Sequence, residues 1–392
     1  MKQSKLRVLL LTDGIYPYVI GGMQKHSYYL SKILPKLNIE LTLVHTSSNT
    51  NQIISNQELN NKLGHPENTI KSYFIPMSIS GKYPGHYLLE SYQYSSKVYE
   101  EIKGSINSFD LIYIKGLSGW KTLLKKKDIS TPIIYNAHGY EMFQYANGIK
   151  MKLKQWMLRP VFKYQLNKAN YIVSYGGKIT TLLQDLKIKA SKIIEIPAGF
   201  EKSKIKTKPP KPFQGKLRFL FVGRNERRKG INEINRAIST INKSAISNKY
   251  AFTFVGPIPE KTKIKSPNVS YLGELKSYEE LEVVYKKSDV LLAPSLSEGM
   301  PNVIMEAMAN GLAIITTDVG ANSLLVNEEN GVLLPVPVKN TLLDEIKNLS
   351  TLPSNELEIK KKASLKKING FTWDKIGLET KNLFQKLINS ER

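Results

Sequence analysis

Short apolar runs, each closed by a loop and followed by a stretch with helical spacing, recur along the whole sequence. Residues 7–12 form the first run, and Tyr28, Leu30, Ile33, Leu34 and Leu37 then share one face of a helix over Ser27–Leu37. Residues 41–45, 111–114, 132–136 and 171–174 continue the series. Runs that are apolar throughout, rather than alternating with polar residues, suit strands buried on both faces, as in parallel sheets covered by helices. A chain built this way belongs to the α/β class and not to the bundles or sandwiches.

Residues 201–216, EKSKIKTKPPKPFQGK, break the periodicity and read as a linker, after which the pattern restarts. Strands are predicted at 217–222, 251–255, 290–293 and 313–316, with a helix near Ile231–Ile241. A chain of 392 residues exceeds what one core usually serves. The expectation is therefore an α/β fold of two Rossmann-like doubly wound domains facing each other across a cleft: an N-terminal domain over 1–200, the linker, and a C-terminal domain over 217–370. Phe371-Thr372-Trp373 opens a final amphipathic helix over 371–392, expected to pack back on the N-terminal domain.

Composition removes several classes of chemistry. There are no cysteines, which excludes disulfides, thiolate metal sites and thiol nucleophiles. The five histidines show no close i, i+4 pairing, so no protein-built metal site is expected. No apolar stretch approaches the ~20 residues of a membrane span or the core of a signal peptide. The expected location is the cytoplasm, with any membrane contact peripheral. The formal charge of +24 admits nucleic acid, an anionic membrane surface, or a bias toward lysine. No nucleic-acid-binding module is recognisable. The membrane surface is the preferred functional reading, since each basic residue near anionic lipid contributes about 1 kcal/mol.

Two segments carry candidate chemistry. Phe221-Val222-Gly223-Arg224 closes a strand and Asn225-Glu226-Arg227-Arg228-Lys229-Gly230 leads into a helix. Arg224 and Lys229 beside free backbone N–H groups suit a diphosphate, although a solvated basic loop would look the same. The second segment runs from Pro294 to Gly311, SLSEGMPNVIMEAMANG after the proline. Here a buried strand ends, a loop bears Glu298, a helix starts near Pro301, and Glu306 lies in that helix among apolar neighbours, where an unpaired carboxylate would be costly. The alternative is an acidic helix start and a solvated helix glutamate.

The run Glu298-Gly299-Met300-Pro301-Asn302-Val303-Ile304-Met305-Glu306 resembles the Glu-x7-Glu signature of the retaining GT-B glycosyltransferases of family 4. Gly21-Gly22-Met23-Gln24-Lys25-His26 resembles that family's N-terminal Gly-Gly loop, Gly223-Arg224 with Lys229-Gly230 its phosphate site, Asn136-Ala137-His138-Gly139 its His-Gly segment, and Asp318-Val319-Gly320 its downstream loop. The resemblance covers nearly the whole chain. It implies that Arg224 and Lys229 neutralise the diphosphate of a nucleotide-sugar donor and that Glu306 binds the ribose. Glu298 would lie near the transferred sugar, with the backbone N–H groups around Gly299, Met300 and Asn302 holding its hydroxyls and Pro301 among the donor-binding residues. Gly21 and Gly22 would let the N-terminal loop approach the phosphates, and His138 would contact the sugar. Gln24 stands where many members have Glu, and Met300 where many have Phe.

The resemblance further implies a hexose-type sugar transferred with retention from a uridine diphosphate donor, guanosine diphosphate being the next expectation. No carboxylate is placed as a covalent nucleophile, so front-face substitution is expected, with no cofactor and no obligatory divalent metal. The acceptor is expected to be a glycan or lipid-linked molecule bound by the N-terminal half. There Lys71, Lys82, Lys97, Lys103 and Lys125–Lys127 are interleaved with Tyr73, Tyr83, Tyr87, Tyr92 and Tyr94. A nucleotide-sugar epimerase on the same fold, or an inactive sugar-nucleotide-binding module, are the alternatives. A dinucleotide dehydrogenase is disfavoured because neither strand–loop–helix carries a full Gly-x-Gly-x-x-Gly.

Overall fold

A computed structural model of the chain describes residues 5–47, 53–77, 81, 83, 85–209 and 215–391. Lys82 and residues 210–214 of the linker segment lie outside the described residues.

The first half builds a seven-stranded sheet from β1 (Leu6–Leu11), β2 (Ile39–His45), β3 (Lys71–Phe74), β4 (Leu111–Lys115), β5 (Ile133–Asn136), β6 (Tyr171–Ser174) and β7 (Ile193–Glu195), in the order β3-β2-β1-β4-β5-β6-β7. The second half builds a six-stranded sheet from β8 (Leu217–Val222), β9 (Tyr250–Val255), β10 (Val269–Tyr271), β11 (Val290–Ala293), β12 (Ala313–Thr317) and β13 (Gly331–Leu334), in the order β10-β9-β8-β11-β12-β13. All the strand pairings are parallel. Helices cover both faces of each sheet, so inner strands such as β1 and β4 bury nearly every side chain.

In each sheet the chain starts in the middle, winds outward, then crosses back. The strand order therefore reverses between β1 and β4 and between β8 and β11. Ligands of open α/β sheets bind beyond the carboxyl ends of the strands at this reversal. The loop after β1 leads to Gly21-Gly22, the loop after β8 bears Arg224 to Lys229, and the loop after β11 bears Glu298. The topology thus brings the sequence motifs to the places where such a fold can use them.

Residues 201–209 are no free tether. The Lys206 N–H donates to Ala309 O at 2.8 Å, Lys206 pairs with Glu282 at 2.8 Å, and Glu201 pairs with Lys32 at 3.5 Å and Lys204 at 2.9 Å. The last helix, Trp373–Glu391, puts Trp373, Ile376, Phe384, Leu387 and Ile388 into the core beneath β1 and β2, beside Val8, Leu10 and Leu41. Phe200 and Thr372 bridge just before it, so both chain crossings between the halves run side by side.

Candidate active site

On the C-terminal side two loops are tied together. The Leu296 N–H donates to Arg228 O at 2.7 Å, joining the loop after β11 to the loop after β8. Gly230 turns the chain there with φ +77°, and a Cβ at this position would come 2.1 Å from Pro294 O, so only glycine fits. The joined loops place Lys229 Nζ 2.6 Å from Glu298 Oε1 and Arg228 Nη1 3.5 Å from Glu298 Oε2. Burial alone would raise the Glu298 carboxyl, but Lys229 and then Arg228 hold it below its ordinary value. Arg228 also reaches Glu226 at 2.8 Å.

The cation pair over Glu298 is therefore Lys229 with Arg228. Arg224 turns outward to Glu226 at 2.9 Å with 70% of its side chain exposed. Sequence reading chose Arg224 by motif, whereas Arg228 carried no mark beyond standing next to Lys229.

Pro301 is the residue capping the Asn302–Ala309 helix rather than part of its first turn. Four residues into that helix, Glu306 is buried but partnered: Tyr285 donates its hydroxyl to Oε2 at 3.1 Å, and Lys25 Nζ stands 3.6 Å from Oε1. Met300 turns inward, where the Ala198 N–H meets its Sδ at 3.1 Å. Gly299 is packed so closely against the other half that an added Cβ would sit 3.0 Å from His138 O.

On the N-terminal side the Gly-Gly motif is a helix start and not a free loop. The helix is Gly22–Ile33, five residues longer at its beginning than the periodicity predicted, and Gly21 caps it. Its first turns direct Lys25 to Glu306 and His26 into the space between the halves, roles the sequence did not reveal. A Cβ at Gly22 would lie 3.3 Å from His138 Nε2 and 3.8 Å from Asn302 Nδ2, so this helix start touches both walls of the cleft.

His138 has φ +68°, a conformation uncommon for a residue with a side chain, and its N–H donates to Asn136 Oδ1 at 2.7 Å. Its Nδ1 bonds the Tyr175 hydroxyl. Burial, with the nearby Lys115 cation as a second cause, pushes its pKa down to about 3, so the ring is neutral at physiological pH. Beneath it Lys115 is fully buried: Nζ donates to Met23 O at 3.0 Å and Ser27 Oγ at 2.9 Å and meets His26 Nδ1 at 2.9 Å. His26 accepts that bond at Nδ1, which leaves its proton on Nε2, a buried nitrogen with no partner among the described residues.

Gln144 fastens the two halves. Its Nε2 donates to Glu298 O and Gly139 O, both at 2.5 Å, and its Oε1 accepts from the Glu298 N–H at 3.1 Å. Ion pairs between Lys178 and Asp318 at 3.1 Å and between Arg228 and Glu141 at 3.4 Å add to it. A cavity of about 110 Å3 remains, lined by Gly22, Lys25, His26, His138, Asn302 and Glu306 among others. Sites for drug-sized ligands start near ~300 Å3, so this cavity is smaller than such a ligand needs. Among the described residues no group of three or more His, Asp or Glu could hold a metal ion.

Known proteins share the two-domain fold. The description Glycosyltransferase Family 4 matches residues 20–204, and Glycosyl transferases group 1 matches residues 216–351. An uncharacterised glycosyltransferase of Methanocaldococcus jannaschii is 27% identical over 97% of this chain and 98% of its own length. A Campylobacter jejuni α-1,4-N-acetyl-D-galactosaminyltransferase, named for a substrate ending in diNAcBac-PP-undecaprenol, is 24% identical over 53% of this chain and 56% of its own. Among solved structures, the sucrose-phosphate synthase of Thermosynechococcus elongatus superposes with a TM-score of 0.80 at 18% identity, covering 98% of this chain and all of that one. With one description taking up each half, and with two parallel-sheet domains meeting at the motifs that carry it, the chain belongs to the GT-B glycosyltransferases of family 4.

Proposed function

We propose that this glycosyltransferase moves a hexose-type sugar, with retention of configuration, from a nucleoside diphosphate sugar to a glycan or lipid-linked acceptor in cell-surface polysaccharide assembly. A uridine diphosphate donor is expected first and a guanosine diphosphate donor next, with the work done on the inner face of the membrane. The observation that carries this reading is the pairing of Lys229 and Arg228 with Glu298 at the carboxyl end of the second sheet, in the loop that leads into the helix bearing Glu306. Cations held by a carboxylate at a cleft are ready to exchange that partner for a diphosphate. The lipid-linked acceptor is supported by the Campylobacter relative, whose name gives an undecaprenol-linked substrate.

In the proposed reaction the bond between the anomeric carbon and the diphosphate oxygen breaks as the acceptor oxygen bonds to the same carbon on the same face. The acceptor proton passes to the departing diphosphate, and Lys229, Arg228 and a swung-in Arg224 stabilise the charge that develops there. Glu306 accepts from the ribose hydroxyls. His138 stays neutral and acts by hydrogen bonding from Nε2, since a ring with its pKa at about 3 carries no proton to spare. The cations supply what a divalent metal would, so transfer is expected to survive EDTA.

The test is a thermal-shift and hydrolysis screen against uridine, guanosine and adenosine diphosphate sugars. Stabilisation by one nucleotide class, with slow release of nucleoside diphosphate, is the expected result. No response to any of them would remove the donor reading, and interconversion of the sugar without an acceptor would favour an epimerase.

A further inference from the structure

The helix Ile149–Lys168 has apolar residues on two opposite sides. Phe162 and Leu166 face the core, whereas Ile149, Leu153 and Trp156 are 86%, 63% and 70% exposed. At about 100° per residue these three fall within about 60° of one another, a single stripe of roughly two turns pointing away from the core face. Lys150 and Lys154 then lie along one flank of the stripe and Lys152 and Lys163 along the other, all four exposed. The segment before the helix adds Tyr145, 40% exposed. A lone exposed leucine needs no explanation, but a stripe of an isoleucine, a leucine and a tryptophan does.

We infer that this stripe is the surface by which the protein docks on an anionic lipid bilayer, the helix lying in the membrane plane. The inference rests on the proposed membrane-proximal function and locates its contact. Apolar side chains on one face with lysines along both edges is the pattern of helices that bury ~5–10 Å into the headgroup region, where tryptophan is favoured and each lysine adds attraction to anionic lipid. The charge is complementary: the whole chain carries +24. A protein partner or a second copy would be poorly served by four flanking lysines, because lysine is depleted at such interfaces.

The position also suits the chemistry. On the helix's inner side Gln155 is buried and donates to Glu141 O at 2.7 Å and Gln144 O at 3.1 Å. The Gln144 side chain is the one that grips the Glu298 backbone. Docking therefore sets the mouth of the cleft beside the bilayer, two residues' contact away from the loop proposed to hold the donor sugar, so that a lipid-linked acceptor can reach it without leaving the membrane.

The experiment is co-sedimentation of the full chain with vesicles of phosphatidylcholine alone and with ~30% phosphatidylglycerol, at low salt, for the wild type and the triple variant Ile149→Ser, Leu153→Ser, Trp156→Ser. The wild type is expected to bind the anionic vesicles, and the triple variant to bind at least about tenfold more weakly. Changing Lys150, Lys152 and Lys154 to Gln is expected to erase the preference for phosphatidylglycerol. Trp156 emission should shift to the blue on binding, and the shift should vanish in Trp156→Phe while Trp120 and Trp373 remain. Equal vesicle binding by wild type and triple variant, or no binding by either, would overturn the proposal. So would a wild-type dimer in solution that the triple variant abolishes, since a second copy would then cover the stripe. Donor hydrolysis is measured in parallel and is expected unchanged in the triple variant. Its absence from both proteins, with the wild type binding vesicles and the triple variant not, would break the donor reading and leave the docking surface standing.

Discussion

The two walls of the cleft hold their charges in different ways. On the C-terminal wall Glu298 faces Lys229 and Arg228, and Glu306, which lines the cavity, is met from across the cleft by Lys25, each a pairing of opposite charges. On the N-terminal wall Lys115 is fully buried against a carbonyl, a hydroxyl and an imidazole nitrogen, under two neutral histidines. A cation held by a carboxylate can trade that partner for a ligand, while a buried lysine held by three neighbours fixes the shape of what surrounds it. The first wall is arranged to bind charge and the second to position a helix start and a ring.

The largest expected effect is on the first wall. Lys229→Ala should lower kcat by about 10²–10³-fold, the scale of losing one preorganised charge-stabilising donor, while the protein stays folded. Arg228→Ala should follow it more closely than Arg224→Ala does, and the reverse order in steady-state kinetics would restore Arg224 as the principal partner of the diphosphate. Lys115→Met should act on stability instead. It takes from buried His26 Nδ1 the partner at 2.9 Å, at about 1–3 kcal/mol for a buried group, and urea unfolding should show the loss.

A pH profile separates the walls further, because all five histidines lie in the N-terminal half. Burial lowers the pKa of His45 to about 4 and of His138 to about 3, and holds His26 well below the usual value. Between these values and 6.5 the unfolded chain binds protons that the folded one refuses, so stability falls as pH drops from about 6.5 toward 4. Asp13, raised by burial to about 6, opposes this between pH 3.8 and 6 but is one group against three. The urea midpoint is expected to fall with acid, and His45→Phe, at a ring with both nitrogens unpartnered among the described residues, should flatten the fall. The smallest effect belongs to Tyr285→Phe. Losing its bond to Glu306 should raise donor KM a few-fold, about 0.5–1.5 kcal/mol, without touching kcat.

What the sequence made legible follows burial. The nine strands predicted from apolar runs are inner strands of the two sheets. The four it missed, β3, β7, β10 and β13, are the outermost strand on each side of each sheet. An edge strand has one neighbour and a wetter face, so Lys71–Phe74 or Val269–Tyr271 need no continuous apolar run and leave no signature. The Gly-Gly helix start was misplaced because glycine is a poor helix former, and only its packing against His138 and Asn302 recruits it.

At the site, Glu298, Lys229 and Glu306 were legible because they stand in one motif or close to a turn. Arg228, Lys25, Gln144, Tyr285 and Lys115 were not, since their meaning arises only when distant loops meet. The helix Ile149–Lys168 escaped for another reason: with apolar residues on two faces its pattern has no single period. Basic residues interleaved with tyrosines at 65–128 drew attention instead, although Tyr94 among them is a core residue bonded to Thr12 O at 2.7 Å.

The most direct measurement is calorimetric titration of uridine and guanosine diphosphate into the wild type and Lys229→Ala, in EDTA. One of the two nucleotides should bind the wild type without metal and bind Lys229→Ala at least about tenfold more weakly, the loss expected for a charge-assisted contact. Equal affinity in both proteins, or binding that appears only when a divalent ion is added, would contradict the assignment of the Lys229, Arg228 and Glu298 cluster as the diphosphate site.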